Sequence, residues 1–190
     1  MRLKRHGVRI GSGGRFIGQP IIRLHRGEQL SIGDRFVGVS TSSGTALGVR
    51  GPVIFRTLSP DAQIDVGDDT GMSGTVVCAA VSVQIGARCL IGADCMIFDT
   101  DFHPHAASDS AGVPRRYAQP AWQEISSPVT LGDDVFLGTR SIVTKGVSIG
   151  AGTIIAAGSV VTRNIPSNVI AGGIPATIIR PAVFDERVTA

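Results

Sequence analysis

The sequence predicts an all-β fold, a solenoid of triangular cross-section whose short parallel strands stack coil upon coil. Three observations predict it. The 190 residues are 43% hydrophobic but only 5% aromatic, and 25 are Gly. Such a chain builds short aliphatic strands joined by many tight turns. A large aliphatic residue then recurs every six positions, at Leu131, Leu137, Val143, Ile149, Ile155 and Val161. Finally, a small or β-branched residue stands two positions before each of the last five, at Val135, Ser141, Val147, Thr153 and Ser159. Residues two apart share one face of a strand, so each pair reads as two inward side chains. Strands this short cannot bury a face alone, but they can when every coil pairs with its neighbours. Three hexads per coil give the prism.

The length suits one domain, taken as residues 1–190. The coils run from about 26 to 165, a loop is ejected over 104–128, and 166–190 form a terminal cap. The beat starts weakly at Ile32-Gly33-Asp34-Arg35-Phe36. It then runs through Ile54, Pro60, Val66, Met72 and Cys78, shifts by one residue near Gln84, and resumes at Ile85, Ile91 and Ile97. Cys78 falls in a large inward slot, and Cys89 and Cys95 in small ones. The segment between His103 and Pro128, rich in Pro, Ala and Ser, carries no beat. The pattern ends after Ile165-Pro166, and Ile178-Ile179-Arg180 opens the cap.

Eighteen Lys and Arg against fifteen Asp and Glu leave a net charge of +3. That is too mild and scattered for a nucleic-acid-binding field. No run approaches the roughly 18 apolar residues of a transmembrane helix. The basic start, Met1 to His6, has no apolar stretch after it and does not read as a signal peptide. Three cysteines make neither a disulfide framework nor a zinc-site spacing, which fits a reducing cytoplasm.

By the beat, Asp101 and His103 take the next inward pair, where aliphatic residues are expected. Polar groups in such slots are costly unless paired or exposed, so a break in the coil here is where a site would be built. A neutral imidazole at such a break is suited to take a proton as a general base. Asp101 or Asp99 could orient the imidazole, or satisfy turn amides instead. His105 is the rival base. In the loop, Arg115, Arg116, Tyr117 and Trp122 offer forks and aromatic faces suited to sugar recognition or to packing on a neighbouring subunit. Ser73, in Gly71-Met72-Ser73-Gly74, lies a coil earlier and is a candidate acceptor contact.

The run Ile97-Phe98-Asp99-Thr100-Asp101-Phe102-His103-Pro104 is followed by Gly132-Asp133-Asp134-Val135-Phe136-Leu137-Gly138. After these come Ala157-Gly158-Ser159-Val160-Val161-Thr162-Arg163 and Gly172-Gly173-Ile174-Pro175-Ala176. In this order the chain resembles the hexapeptide-repeat acyltransferases, from about Ile32 to Arg180. Within them it resembles the maltose and galactoside O-acetyltransferases, and still more the bacterial O-acetyltransferases of surface-polysaccharide sugars. The resemblance implies a left-handed parallel β-helix, an exception to the usual right-handed crossover. It implies a homotrimer with acetyl-CoA and acceptor held between neighbouring prisms. The His of the His103-Pro104 step would be the catalytic base. Phe136, where the family often has Trp, would line the thioester end. Gly138, Thr139 and Ala157 would meet the pantetheine arm, and Arg163 and Arg180 the CoA phosphates. Asp99, Arg116, Trp122 and Ser73 complete the expected acceptor site.

The reaction expected is therefore acetyl transfer from acetyl-CoA to a hydroxyl of a sugar or polysaccharide precursor, lipid-linked or nucleotide-linked, without a metal. N-acetylation of an amino-sugar nucleotide and acetylation of an antibiotic are the alternatives. A carbonic-anhydrase-like zinc protein of the same fold needs three His, and the four here stand at 6, 25, 103 and 105.

Overall fold

A computed structural model describes residues 8–25, 29–118 and 120–182. The basic residues 1–7 and the end of the expected cap, 183–190, lie outside the described residues. Among the described residues the strands form three sheets of six, eight and six strands. All pairings within the coils are parallel and in register. This is the arrangement of a left-handed β-helix of hexapeptide repeats.

The inward columns carry the core. Val66, Ile85, Leu131 and Ile149 stack on the first face. Met72, Ile91, Leu137, Ile155 and Ala171 stack on the second. Val77, Ile97, Val143 and Val161 stack on the third. All are buried, as are the small residues Cys89, Cys95, Val135, Ser141, Val147, Thr153 and Ser159 at the corners. Packing a coil every strand spacing of about 4.8 Å leaves no room for a side chain at several corners. A Cβ on Gly138 would lie 2.5 Å from the Ala157 nitrogen, so glycine is required there.

The upper coils depart from the expected phase. Ile54 is half-buried and Pro60 exposed, while Val53 and Phe55 fill the core. An unforeseen excursion causes this. The chain leaves the prism after Val39 and returns at Ile54, passing through a 3-10 turn at Ser42–Gly44. Two further steps are irregular. Met72 to Val77 takes five residues and Val77 to Ile85 takes eight. The large inward slot therefore belongs to Val77, not Cys78. Cys78 sits beside Phe98 in the ladder and points away from the core, though it is buried. The irregularity is not at Gln84, which pairs regularly with Asp65 and Thr130. It lies at the corner Ala80–Val81.

The lower end also differs. The coil continues past Ile165, which bridges to Ile149. Val169–Gly173 adds a parallel strand beside Ile154–Ile155. Ala176–Pro181 then folds back antiparallel on Val169–Gly173. That hairpin, with Ile178 and Ile179 exposed, closes the described chain.

Candidate functional site

The third strand of its coil, Met96–Phe98, ends in Asp99, the last inward residue before the chain leaves the prism. Asp99 is fully buried, and its carboxylate accepts the N–H groups of Ala80, Val81 and Ser82, each at 2.7 Å. Burial pushes the Asp99 carboxyl upward, and the three amides oppose that shift. Both of its oxygens are taken up by backbone amides of the coil above, so Asp99 serves there as an anchor.

Asp101 and His103 do not form an inward pair. Both are exposed, because the chain has left the coil at Thr100, which bridges antiparallel to Ser126 on the returning limb. The His103 N–H donates to the Asp101 carbonyl at 2.8 Å, closing a tight three-residue turn around Phe102. Phe102 has φ 63°, a conformation a bulky side chain rarely adopts. Its ring lies 5.5 Å from that of Phe98, and its N–H donates to the Thr100 hydroxyl. Strain of this kind persists where the surroundings hold it, often at a site. It delivers His103 to the wall of a cavity of about 340 Å³, lined also by Ala107, Pro114, Arg115 and Arg116.

Neither carboxylate orients the His103 ring. Asp101 instead pairs with His105 at 2.5 Å and with Lys145 at 2.5 Å. Desolvation raises the Asp101 carboxyl, but the bonds from Lys145 and His105 outweigh it and hold it below its ordinary value. Lys145 was not foreseen. It sits one coil below, just past Val143, and also donates to the Ile125 carbonyl at 3.0 Å. Lys145 thus ties the outgoing limb of the loop to the returning one. Its only sequence signal was a cation in the turn Thr144-Lys145-Gly146, repeated one coil below by Arg163.

Trp122 opens the short helix Trp122–Ile125 on the returning limb and is half-buried. The Arg116 guanidinium lies 4.4 Å from the centre of the Tyr117 ring and donates to its hydroxyl.

The residues expected to hold the cofactor lie elsewhere, along the corner between the second and third sheets. Phe136, 42% exposed, lies between Leu90 and Ile154 on the outer second sheet. It shares a cavity of about 370 Å³ with Ser73, so these two residues come together. The Thr139 hydroxyl donates to the Ala93 carbonyl at 2.7 Å, and its own carbonyl accepts Gly158 N–H. Ala157 is exposed on the same corner. Arg180 lies opposite Ile170 in the terminal hairpin, which meets this corner where Gly173 N–H donates to the Ser159 hydroxyl. Arg163 is exposed at the other corner, below Lys145, so the two arginines do not converge. The cavities of His103 and Phe136 share no lining residue.

Burial pushes the thiols of Cys78 and Cys95 up to about 11, and that of Cys89 upward as well. Raised thiols are poor nucleophiles. Among the described residues no three His, Cys, Asp or Glu side chains are grouped to hold a metal ion. No helix among them is long and apolar enough to cross a membrane.

Fold and corner together define a hexapeptide-repeat β-helix. Comparison with known proteins agrees. The pattern described as the hexapeptide repeat of succinyl-transferase matches residues 82–97 and 128–163. The chain is 46% identical to the galactoside O-acetyltransferase of Escherichia coli (strain K12) over 55 residues, 29% of this chain and 27% of that protein. It is 40% identical to the 2,3,4,5-tetrahydropyridine-2,6-dicarboxylate N-acetyltransferase of Staphylococcus aureus (strain JH9) over 57 residues, 30% of this chain and 24% of that one. These matches span less than a third of either relative. The fold resembles the crystal structure of the hexapeptide-repeat-containing acetyltransferase VCA0836 from Vibrio cholerae. There the TM-score is 0.60 and identity 24%, covering 93% of this chain and 74% of that one. The chain therefore carries, over residues 82–97 and 128–163, the hexapeptide repeat that it shares with these acetyltransferases.

Proposed function

We propose that the protein moves an acetyl group from acetyl-CoA to a hydroxyl of a sugar or polysaccharide precursor in the cytoplasm, with His103 as general base. One observation carries this reading. The chain leaves its coil through a strained turn that sets His103, its ring without a side-chain partner among the described residues, on a cavity wall. The VCA0836 protein has also been crystallised with acetyl coenzyme A, which supports the same cosubstrate here.

The neutral imidazole of His103 takes the proton of the acceptor hydroxyl as its oxygen attacks the thioester carbonyl. The C–O bond forms, the C–S bond breaks, and the sulfur leaves as a thiolate. The imidazolium then returns the proton to that sulfur, so the ring ends as it began. Phe136, Gly138, Thr139 and Ala157 would line the path of the acyl donor, with Ser73 beside Phe136 at the acceptor end. His103 and this corner lie on opposite edges of the third sheet. A homotrimer would resolve that separation, because the corner of one prism could face the loop of the next.

N-acetylation of an amino sugar remains the second reading, since the matched stretch is shared with an N-acetyltransferase. The test is His103→Ala. Turnover should fall roughly 10²–10⁴-fold while calorimetry finds acetyl-CoA binding retained. The acid limb of the pH profile should vanish with the ring. A folded variant that binds acetyl-CoA and keeps wild-type kcat overturns the assignment.

A further inference from the structure

The cavity beside His103 holds two arginines whose charge the protein does not neutralise. Among the described residues, no carboxylate forms an ion pair with Arg115 or Arg116. Neither guanidinium hangs free, however. The Arg115 Nε donates to the Ala106 carbonyl at 2.8 Å, and a terminal nitrogen donates to the His105 carbonyl. Arg116 is held against the ring and hydroxyl of Tyr117. Carbonyls and a phenol fix direction without cancelling charge. The nearby acids are committed elsewhere: Asp101 to Lys145 and His105, Asp109 to the amides of Ala111 and Val113. Two oriented cations therefore share one cavity with the proposed base. A guanidinium fork prefers a planar or tetrahedral oxyanion, and charge-assisted bonds of this kind are roughly twice as strong as neutral ones.

We propose that the cavity of His103, Arg115 and Arg116 takes an acceptor carrying an oxyanion, a carboxylate or a phosphate, beside the hydroxyl to be acetylated. This rests on the reading of His103 as the base. The phosphates of acetyl-CoA do not fit the role. The pantetheine arm separates them from the thioester, so phosphates held here would carry the reacting carbon away from His103. An anionic acceptor has no such conflict, because its charge and its hydroxyl can lie on one sugar ring.

The test uses three probes of matched shape: galactose, galacturonate and galactose 6-phosphate. The full chain is labelled with ¹³C in its histidine rings, and the His103 signal is identified by its loss in His103→Gln. A saturable shift of that signal should appear with at least one charged sugar at a concentration at least about tenfold below galactose. Which charged sugar binds tighter separates carboxylate from phosphate. Arg116→Gln, whose partner among the described residues is Tyr117, should shrink the preference, and Arg115→Gln with Arg116→Gln should abolish it. Equal affinity for all three sugars, no saturable shift with either charged one, or a preference unchanged in the double variant each overturns the proposal. Thiol release from acetyl-CoA is measured on the same samples. Charged sugars that bind but release no thiol overturn the acyl-transfer reading and leave the oxyanion site standing.

Discussion

The coils over 129–161 and the loop over 100–128 are built on different rules. In the coils, position alone decides environment. Leu131 meets Ile149, Leu137 meets Ile155 and Val143 meets Val161, each pair eighteen residues apart and buried. In the loop, contacts are local and polar. Arg115 holds the carbonyls of Ala106 and His105, and Asp109 holds two amides of its own turn. Repetition thus specifies the scaffold, and its interruption carries the chemistry. The residues that join the two belong to the coils by position and to the loop by contact. Asp99 ties the loop root to the coil above, and Lys145 ties it to the coil below.

The most disruptive way to break that comparison is Asp99→Ala. It leaves three amides without their acceptor in a buried corner. At about 1 kcal/mol or more for each, roughly 3 kcal/mol of stability should be lost. Urea unfolding measures it. Val113→Ala, a truncation out in the loop, should stay within about 0.5 kcal/mol of wild type. Comparable losses in the two variants would mean that the loop is as cooperative as the prism.

The same division decided what could be read from the sequence. The lower coils were legible because each inward residue repeats at six and is tested again one coil away. Cys89 and Cys95 were placed correctly by that rule. Cys78, Ile54 and Pro60 were not, because the excursion after Val39 and the uneven steps around Val77 break the count without leaving a polar signature. Asp101 and His103 were singled out correctly as an interruption, yet placed inward, since a beat cannot announce where the chain departs. The clamp by Lys145 was invisible. It joins residues 44 apart through a side chain whose position in the repeat looks like an ordinary turn. Of the two roles open to Asp99, satisfying turn amides is the one the structure bears out, and the choice follows from the corner geometry of the coil above, which one hexad does not reveal.

Lys145→Met sharpens the comparison from the loop side. It keeps the length of the side chain and removes both bonds, so the two limbs lose their link while the coil core is untouched. His103 would then sample more positions, and small misplacements of a reacting group are costly. We expect kcat to fall about 10- to 100-fold. KM for acetyl-CoA and the thermal midpoint should hardly move, a split that a purely structural lysine would not give. Lys145→Arg should restore part of the rate. The pH dependence has a definite sign. Asp101 is held below its ordinary value, so its pairing is intact at neutral pH and is lost only as pH falls through that depressed value. An acid loss of activity at a pH above that depressed value would therefore not come from Asp101. If Lys145→Met removes that limb, Lys145 acts on the base more directly than as a clamp.

The smallest effect expected lies farthest from the loop. Arg180 stands on the terminal hairpin, which packs on the corner of Ala156 and Ser159, below Gly138 and Thr139. Arg163 stands at the opposite corner of the third sheet. If the acyl donor runs down the first of these corners, Arg180 alone meets its phosphate end. Arg180→Ala should raise KM for acetyl-CoA about fivefold and leave kcat unchanged, because binding lost equally from ground and transition states costs no turnover. Its preference for acetyl-CoA over the dephospho form should narrow by the same factor. Arg163→Ala should change neither. The opposite result, a KM effect at Arg163 and none at Arg180, would move the donor to the corner that bears the loop. His103 and the acyl donor would then meet within one prism, with no second copy needed to complete the site.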